Sequence, residues 1–192
     1  MKNQAQHEIN SLFTQRWSPY AYDSQRAVST ADLQGIFEAA RWAMSAFNAQ
    51  PWRYIVGIRG RSQETWDKIY SSLVEGNQGW TQNAPVLAVG LAQKNFEHNG
   101  KPNSTAVHDL GAASASLALE AAGRGLAVHQ MSGFRPDNVR ELFGLDDSIQ
   151  PFTALAIGYP LETAEADGEF AKRDQRPRER KPLSEIIIHG SL

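Results

Sequence analysis

An α+β fold, one domain built on a small mixed sheet flanked by helices, is what this chain of 192 residues predicts. Three observations lead there. Short aliphatic and β-branched runs alternate one at a time with longer stretches carrying apolar residues at helical spacing. Hydrophobic residues make up 41% and charged residues 21%, which supplies a core without the charge excess of a disordered chain. The length suits one domain and is short for two.

The elements follow in order. Ser29-Thr30-Ala31-Asp32 offers a hydroxyl cap with a carboxylate in the first turn, and Leu33, Ile36, Phe37 and Ala40 give the helix an apolar face. That helix is expected to stop near Met44, ahead of Ser45-Ala46-Phe47-Asn48-Ala49-Gln50-Pro51. Tyr54 to Ile58 reads as a strand, Gln63 to Leu73 as a helix, and Val86 to Leu91 as a second strand after Pro85. The longest helix runs from about Ser104 to Arg124, with Val107, Leu110, Leu117 and Ala121 on one face. Its middle, Gly111 to Ser116, is all small residues, open to close approach by another backbone or a flat ligand. A plain buried helix has the same signature. Leu126 to Met131 resumes as a strand. Pro136 opens a helix that Gly144 closes, and Phe152 to Tyr159 is the last internal strand. The core thus covers 1–160. From 161 to 192 the chain reads as an arm: polar to Arg180, then the β-branched Pro182 to Ile188.

Several functions are set aside. A formal net charge of −2 gives no general affinity for nucleic acid or acidic membrane. The absence of cysteine removes disulfides, thiolate metal sites, iron–sulfur clusters and cysteine nucleophiles. The N-terminus, Met1-Lys2-Asn3-Gln4-Ala5-Gln6-His7-Glu8, is too polar for a signal peptide, and Pro85 to Ala92 is far too short to span a membrane, so a cytoplasmic protein is expected. No Rossmann fingerprint, P-loop or nucleophile elbow is present. The five histidines lack metal-ligand spacing. His108-Asp109 could be a polar catalytic pair, but a satisfied helix pair is the commoner case.

What remains is unusual in its placement. Arg16-Trp17-Ser18 precedes the globular pattern; alone, such an arginine is usually surface decoration. Ser45 to Trp52 packs two amides and two aromatics around a helix-to-strand turn, and Glu75-Gly76-Asn77-Gln78-Gly79-Trp80 repeats that chemistry before the second strand. Met131-Ser132-Gly133-Phe134 follows a strand and precedes a helix, where exposed N–H groups can meet an acceptor. Arg178-Glu179-Arg180-Lys181 adds guanidinium groups near the C-terminus.

At these residues the sequence resembles the nitroreductase family of FMN enzymes over nearly its whole length. Family members carry R-x-S near the N-terminus, A-R-x-A-P-S-x-x-N-x-Q-P-W after the first core helix, a helix G-A-A-x-x-x-L-x-L-A-A, a G-F after the next strand, and a C-terminal R-x-R/K-P-L. This chain reads Ala40-Arg41-Trp42-Ala43-Met44-Ser45-Ala46-Phe47-Asn48-Ala49-Gln50-Pro51-Trp52 and Gly111-Ala112-Ala113-Ser114-Ala115-Ser116-Leu117-Ala118-Leu119-Glu120-Ala121. The resemblance implies a homodimer with FMN bound between subunits, the C-terminal strand exchanged, and NAD(P)H as co-substrate. It implies that Arg16, Arg178 and Arg180 bind the FMN phosphate beside Trp17, with Ser18 supporting phosphate or ribityl chain. Asn77 aligns with a pyrimidine-contacting asparagine, Asn48 and Gln50 line the ribityl side or the pocket, and Ser45 is a further cofactor-binding position. The backbone N–H groups of Ser132 and Gly133 polarise flavin N5 and O4, so no side chain is an obligatory catalyst. Phe47 closes the pocket over the ring, where a small-molecule electron acceptor binds. Two departures stand out. Met44 replaces the usual proline. Tyr20 and Trp80 occupy places where many members have a cation near flavin N1 and O2, whose absence lowers the reduction potential. Two readings follow: a ping-pong NAD(P)H oxidoreductase acting on a nitroaromatic, quinone or enone, or a flavin reservoir or specialised flavoprotein with slow NAD(P)H turnover.

Overall fold

The run Val-Leu-Ala-Val-Gly-Leu-Ala in β2 (Val86–Gln93) is apolar on both faces, so both must be covered, and a central place in a single sheet with helices on each face does this. The computed structural model describes residues 5–161 and 168–190. β2 lies between β1 (Trp52–Ile58) and β4 (Ile149–Gly158), and β3 (Ala127–Met131) completes the order β1-β2-β4-β3. Every described pairing is antiparallel, where a mixed sheet was expected. The reason is topological. β2 and β3 run in the same direction, joined by the crossover helix α5 (Ala106–Gly123), but β4 returns between them and pairs antiparallel with both.

Side-chain alternation divides the core. Val86, Ala88 and Ala92 of β2, with Leu155 and Ile157 of β4, face α5 and α2 (Thr30–Arg41) through Leu110, Ala113, Leu117, Leu33 and Ile36. Leu87, Val89 and Leu91, with Ala154 and Ala156, face α3 (Gln63–Ser72), α4 (Glu75–Thr81) and α6 (Pro136–Phe143) through Trp66, Ile69, Trp80 and Val139. Gly57 sets the distance on that side: a Cβ there would sit 2.4 Å from the Trp66 backbone, so α3 rests directly on β1.

The expected caps form. Ser29 Oγ accepts the Asp32 N–H at 3.0 Å, and Gly144 closes α6 in the left-handed conformation at φ 59°. Boundaries move by a few residues: α2 ends at Arg41 rather than Met44, and α5 begins at Ala106 rather than Ser104. Four segments differ more. Ser11–Gln15 is a short helix α1 capped by Asn10. Glu75–Thr81 is helical despite two glycines, because Trp80 and Thr81 are buried on its inner side. Within the polar arm, Glu169–Asp174 forms α7, docked through Ala171; residues 162–167 of that arm, like Met1 to Gln4 of the N-terminus, lie outside the described residues. Leu183–Ile186 is a single helical turn, α8, rather than the start of a strand. Among the described residues no strand pairs with this segment, and Leu183, Ile186 and Ile188 are left exposed.

Candidate functional site

The candidate site residues fall into three groups, far apart in sequence. The first joins the two ends of the chain. Arg16 caps the end of α1, and its carbonyl and that of Thr14 both accept hydrogen bonds from the Arg178 guanidinium. Arg16 Nη1 lies 3.5 Å from Ser18 Oγ. Burial, then Arg180, holds Arg16 below the ordinary arginine range; burial, then Arg16 and Arg180, does the same to Arg178. No carboxylate among the described residues lies within ion-pair distance of the three. Three mutually repelling cations with no anion make a site that favours one.

A clasp on α7 holds Arg178 there. The Asp174 carboxylate accepts N–H bonds from Tyr20 at 2.8 Å and Ala21 at 2.9 Å. Tyr20 packs against Trp80, His129 and Phe170, and the His129 Nδ1–H donates to the Pro19 carbonyl at 2.8 Å. Burial lowers the His129 imidazole below its ordinary value, against the Pro19 bond. Burial also raises the Asp174 carboxyl, against its bonds to Tyr20 and Ala21.

The second group lies where β3 ends. Asn77 Nδ2 donates to the Gly133 carbonyl at 2.9 Å, and Trp80 Nε1 donates to Asn77 Oδ1 at 3.2 Å. Val74 N–H also donates to the Gly133 carbonyl, at 3.1 Å. A Cβ on Gly133 would stand 2.5 Å from Asn77 Nδ2, so this close stitch needs glycine. The carbonyl is thus tied inward. The N–H groups of Ser132 and Gly133 make no hydrogen bond among the described residues. Ser132 lines a pocket of about 340 Å³ with Val107, Gly111, Gln130, Phe152 and Thr153.

The third group is the turn after α2. Phe47, Asn48 and Gln50 have φ of 53°, 52° and 46°, a left-handed conformation that costs about 1–3 kcal/mol for each such residue. Ser45 Oγ accepts the Gln50 N–H at 3.0 Å, and Gln50 Nε2 donates to the Asn48 carbonyl at 3.0 Å. Phe47 is 87% exposed, meeting only the edge of Phe96 among the rings. Strain and an exposed aromatic thus occur together in this turn.

The fold therefore joins Arg16 to Ser18, Arg178 and Arg180, and Asn77 to Gly133. Trp17 is half-buried beside the first group. No hydrogen bond links the turn of Ser45, Asn48 and Gln50 to either other group among the described residues. Among the pocket residues, Gln130, Phe152 and Thr153 were not singled out in the sequence. Gln130 is a lone exposed polar residue in an apolar strand, the one signal that was available.

The sequence model of the nitroreductase family matches residues 13–159, most of the chain. The chain belongs to the nitroreductase family. A relative in Streptomyces coelicolor, provisionally named an NADH dehydrogenase/NAD(P)H nitroreductase, is 30% identical over 172 residues, 78% of this chain and 82% of the relative. A crystallised oxidoreductase containing FMN is 33% identical, with a TM-score of 0.87 over 96% of this chain and 92% of its own. A nitroreductase family protein of Clostridium difficile 630 is 27% identical, with a TM-score of 0.72 over 97% and 100%. The nitroreductase match ends at the last strand, so the arm carrying Arg178 and Arg180 lies beyond it.

Proposed function

We propose that this chain is a homodimeric, FMN-dependent NAD(P)H oxidoreductase that reduces a nitroaromatic, quinone or enone by a ping-pong sequence. The trio Arg16, Arg178 and Arg180, cationic and without a carboxylate among the described residues, carries this reading. Guanidinium forks suit a phosphate bearing nearly two negative charges, and Ser18 stands beside one of them. Relatives named as NAD(P)H nitroreductases, and the similar structure that contains FMN, support the same cofactors here. Bound FMN supplies hydride transfer at N5, from NAD(P)H and then to the acceptor.

The chain's own groups bind and orient. The free Ser132 and Gly133 N–H groups suit acceptors on the flavin edge, and Asn77 is the pyrimidine-side residue that also fixes their loop. Ser45, Asn48 and Gln50 line the ribityl side, and Phe47 faces the acceptor. Tyr20 and Trp80 bring no cation to the flavin, and Trp80 is sealed in the core; this favours a low reduction potential, and with it the second reading of a flavoprotein with slow NAD(P)H turnover. Anaerobic mixing with NADH and NADPH separates the two.

The dimer reading has its own support. The outward face of α5 is small and uncharged at Gly111, Ala112, Ala115 and Ser116. The exposed Leu183 and the β-branched Ile186 and Ile188 form an apolar segment that needs a sheet edge or groove. In this reading the 161–192 arm embraces the partner of a 1–160 core and adds a strand to its sheet. A chain ending at Glu169 is then expected to lose FMN and dimer together; a yellow, stable dimer in sedimentation velocity refutes the arm's role. The phosphate role is tested by Arg16→Ala. Loss of one charge-assisted contact, about 1.5–3 kcal/mol, weakens FMN roughly ten- to a hundredfold. Unchanged affinity on titrating FMN into the apoprotein overturns it.

A further inference from the structure

We infer that Asp109 is a positioning residue, clamping the Ser45–Gln50 turn in its left-handed conformation and so setting the angle at which Phe47 meets the acceptor. The second half of this rests on the proposed role of Phe47; the clamp does not.

Asp109 lies in the first turn of α5 and is 4% exposed. One carboxylate oxygen accepts the backbone N–H of Ala46 at 3.1 Å and lies 3.2 Å from the Thr105 hydroxyl, which shares its proton with Asn103 Oδ1 at 2.8 Å. The other lies 3.2 Å from His108 Nδ1. No lysine or arginine is within ion-pair distance among the described residues, so the carboxylate is held by a neighbouring hydroxyl and imidazole and by one backbone N–H. A carboxylate is taken out of water at high cost unless its lone pairs are used. Part of this one is used on a residue far off in sequence, immediately before Phe47.

The turn needs an external tie. Its internal bonds are local: Gln50 N–H to Ser45 Oγ, Gln50 Nε2 to the Asn48 carbonyl, Asn48 N–H to the Ser45 carbonyl and Ala49 N–H to the Ala46 carbonyl. At its far end the Gln50 carbonyl accepts from Arg53 Nη1 of β1 at 2.9 Å. The bond from Ala46 to Asp109 holds the near end, at the residue preceding the left-handed stretch. The anchor is also well placed. Val107, Leu110 and Gly111, flanking Asp109 on the same helical turn, line the pocket, so the turn and the pocket wall share one rigid element. A role confined to capping the N-terminus of α5 would explain the carboxylate's bond to Thr105, but not the one to Ala46.

Hydrogen–deuterium exchange and acceptor selectivity together decide the matter. In Asp109→Ala, amides of the 46–50 turn are expected to exchange about tenfold faster or more, and Asp109→Asn, which keeps an acceptor for Ala46, restores most of the protection. The ratio of kcat/KM for a bulky quinone to that for a small nitroaromatic shifts in Asp109→Ala and returns in Asp109→Asn. If Asp109→Ala does not fold, Thr105→Val, which removes a hydroxyl steering the carboxylate, gives a smaller acceleration in the same peptide; none overturns the clamp. Faster exchange confined to the start of α5, with the turn unaffected, also overturns it and leaves a helix cap. A faster turn with an unmoved selectivity ratio overturns the positioning of Phe47, provided Phe47→Ala moves that ratio. If Phe47→Ala leaves it unmoved, the acceptor reading has failed, and the clamp stands or falls on the exchange rates.

Discussion

Two segments of this chain have almost the same ingredients and opposite fates. Ser45 to Trp52 and Glu75 to Trp80 each combine asparagine, glutamine and an aromatic between a helix and a strand. The second becomes α4, with Trp80 1% exposed and Asn77 bonded on one side to Gly133 and on the other to the Trp80 indole. The first is a turn with three left-handed residues, an 87% exposed Phe47, and an Asn48 side-chain amide with no hydrogen bond among the described residues. In one segment the amides satisfy the protein; in the other strain is held and polar groups are left available. Composition marks both as special, and the partners met in three dimensions separate a structural stitch from an exposed, strained turn.

The largest test of this contrast is a pair of alanine substitutions. Trp80→Ala is expected to destabilise by about 3–5 kcal/mol, by opening a cavity among Tyr22, Tyr20 and His129. Phe47→Ala should stay within about 0.5 kcal/mol while altering acceptor preference. Urea unfolding of both, with steady-state kinetics of the second, checks this; similar losses in both would break the comparison. Next, Phe47→Gly relieves a left-handed phenylalanine and should raise stability by up to about 1 kcal/mol, a gain that a well-built structural turn would not offer. A lower unfolding midpoint would show that the exposed ring contributes to the fold through Phe96.

The smallest effect is a pH dependence of the clasp beside Trp80. His129 has a folded pKa below the ordinary 6.5, so its contribution is present above that value and is lost as pH falls through the folded one. Asp174 is shifted upward, so its contribution is complete below the ordinary 3.8 and is lost as pH rises through the folded value. Acidification from neutrality therefore meets the histidine first. Melting temperature should fall on the acid side of neutral in the parent protein and fall less in His129→Gln; parallel curves would remove His129 from the clasp.

The difference in legibility among the elements has a physical origin. β2, α2, α5 and α6 were readable because burial imposes a period on the residues that do the burying, and because Ser29 and Gly144 carry caps whose chemistry is local. α4 and α7 were not, since each is short and is held by a single docked side, through Trp80 and Ala171, with no room for a period to appear. The antiparallel sheet was not readable either: local pattern gives strands, while the return of β4 between β2 and β3 is a choice among pairings.

At the site the division is sharper. By itself the sequence determined which residues are chemically out of place on an ordinary surface: Arg16, the amides around Phe47, Asn77, the Ser132-Gly133 step, and the arginines at 178 and 180. It could not determine their company. Arg16 and Arg178 meet across 162 positions, and the Asp109 carboxylate reaches Ala46 across 63. Only the tertiary structure decided that the Gly133 carbonyl turns inward while the neighbouring N–H groups stay free, and that Asn77 is tied to the loop it borders. Periodicity and capping are local, written within a few residues of where they act. A binding site is made by groups from distant parts of the chain, and their distances exist only once the core has closed around them.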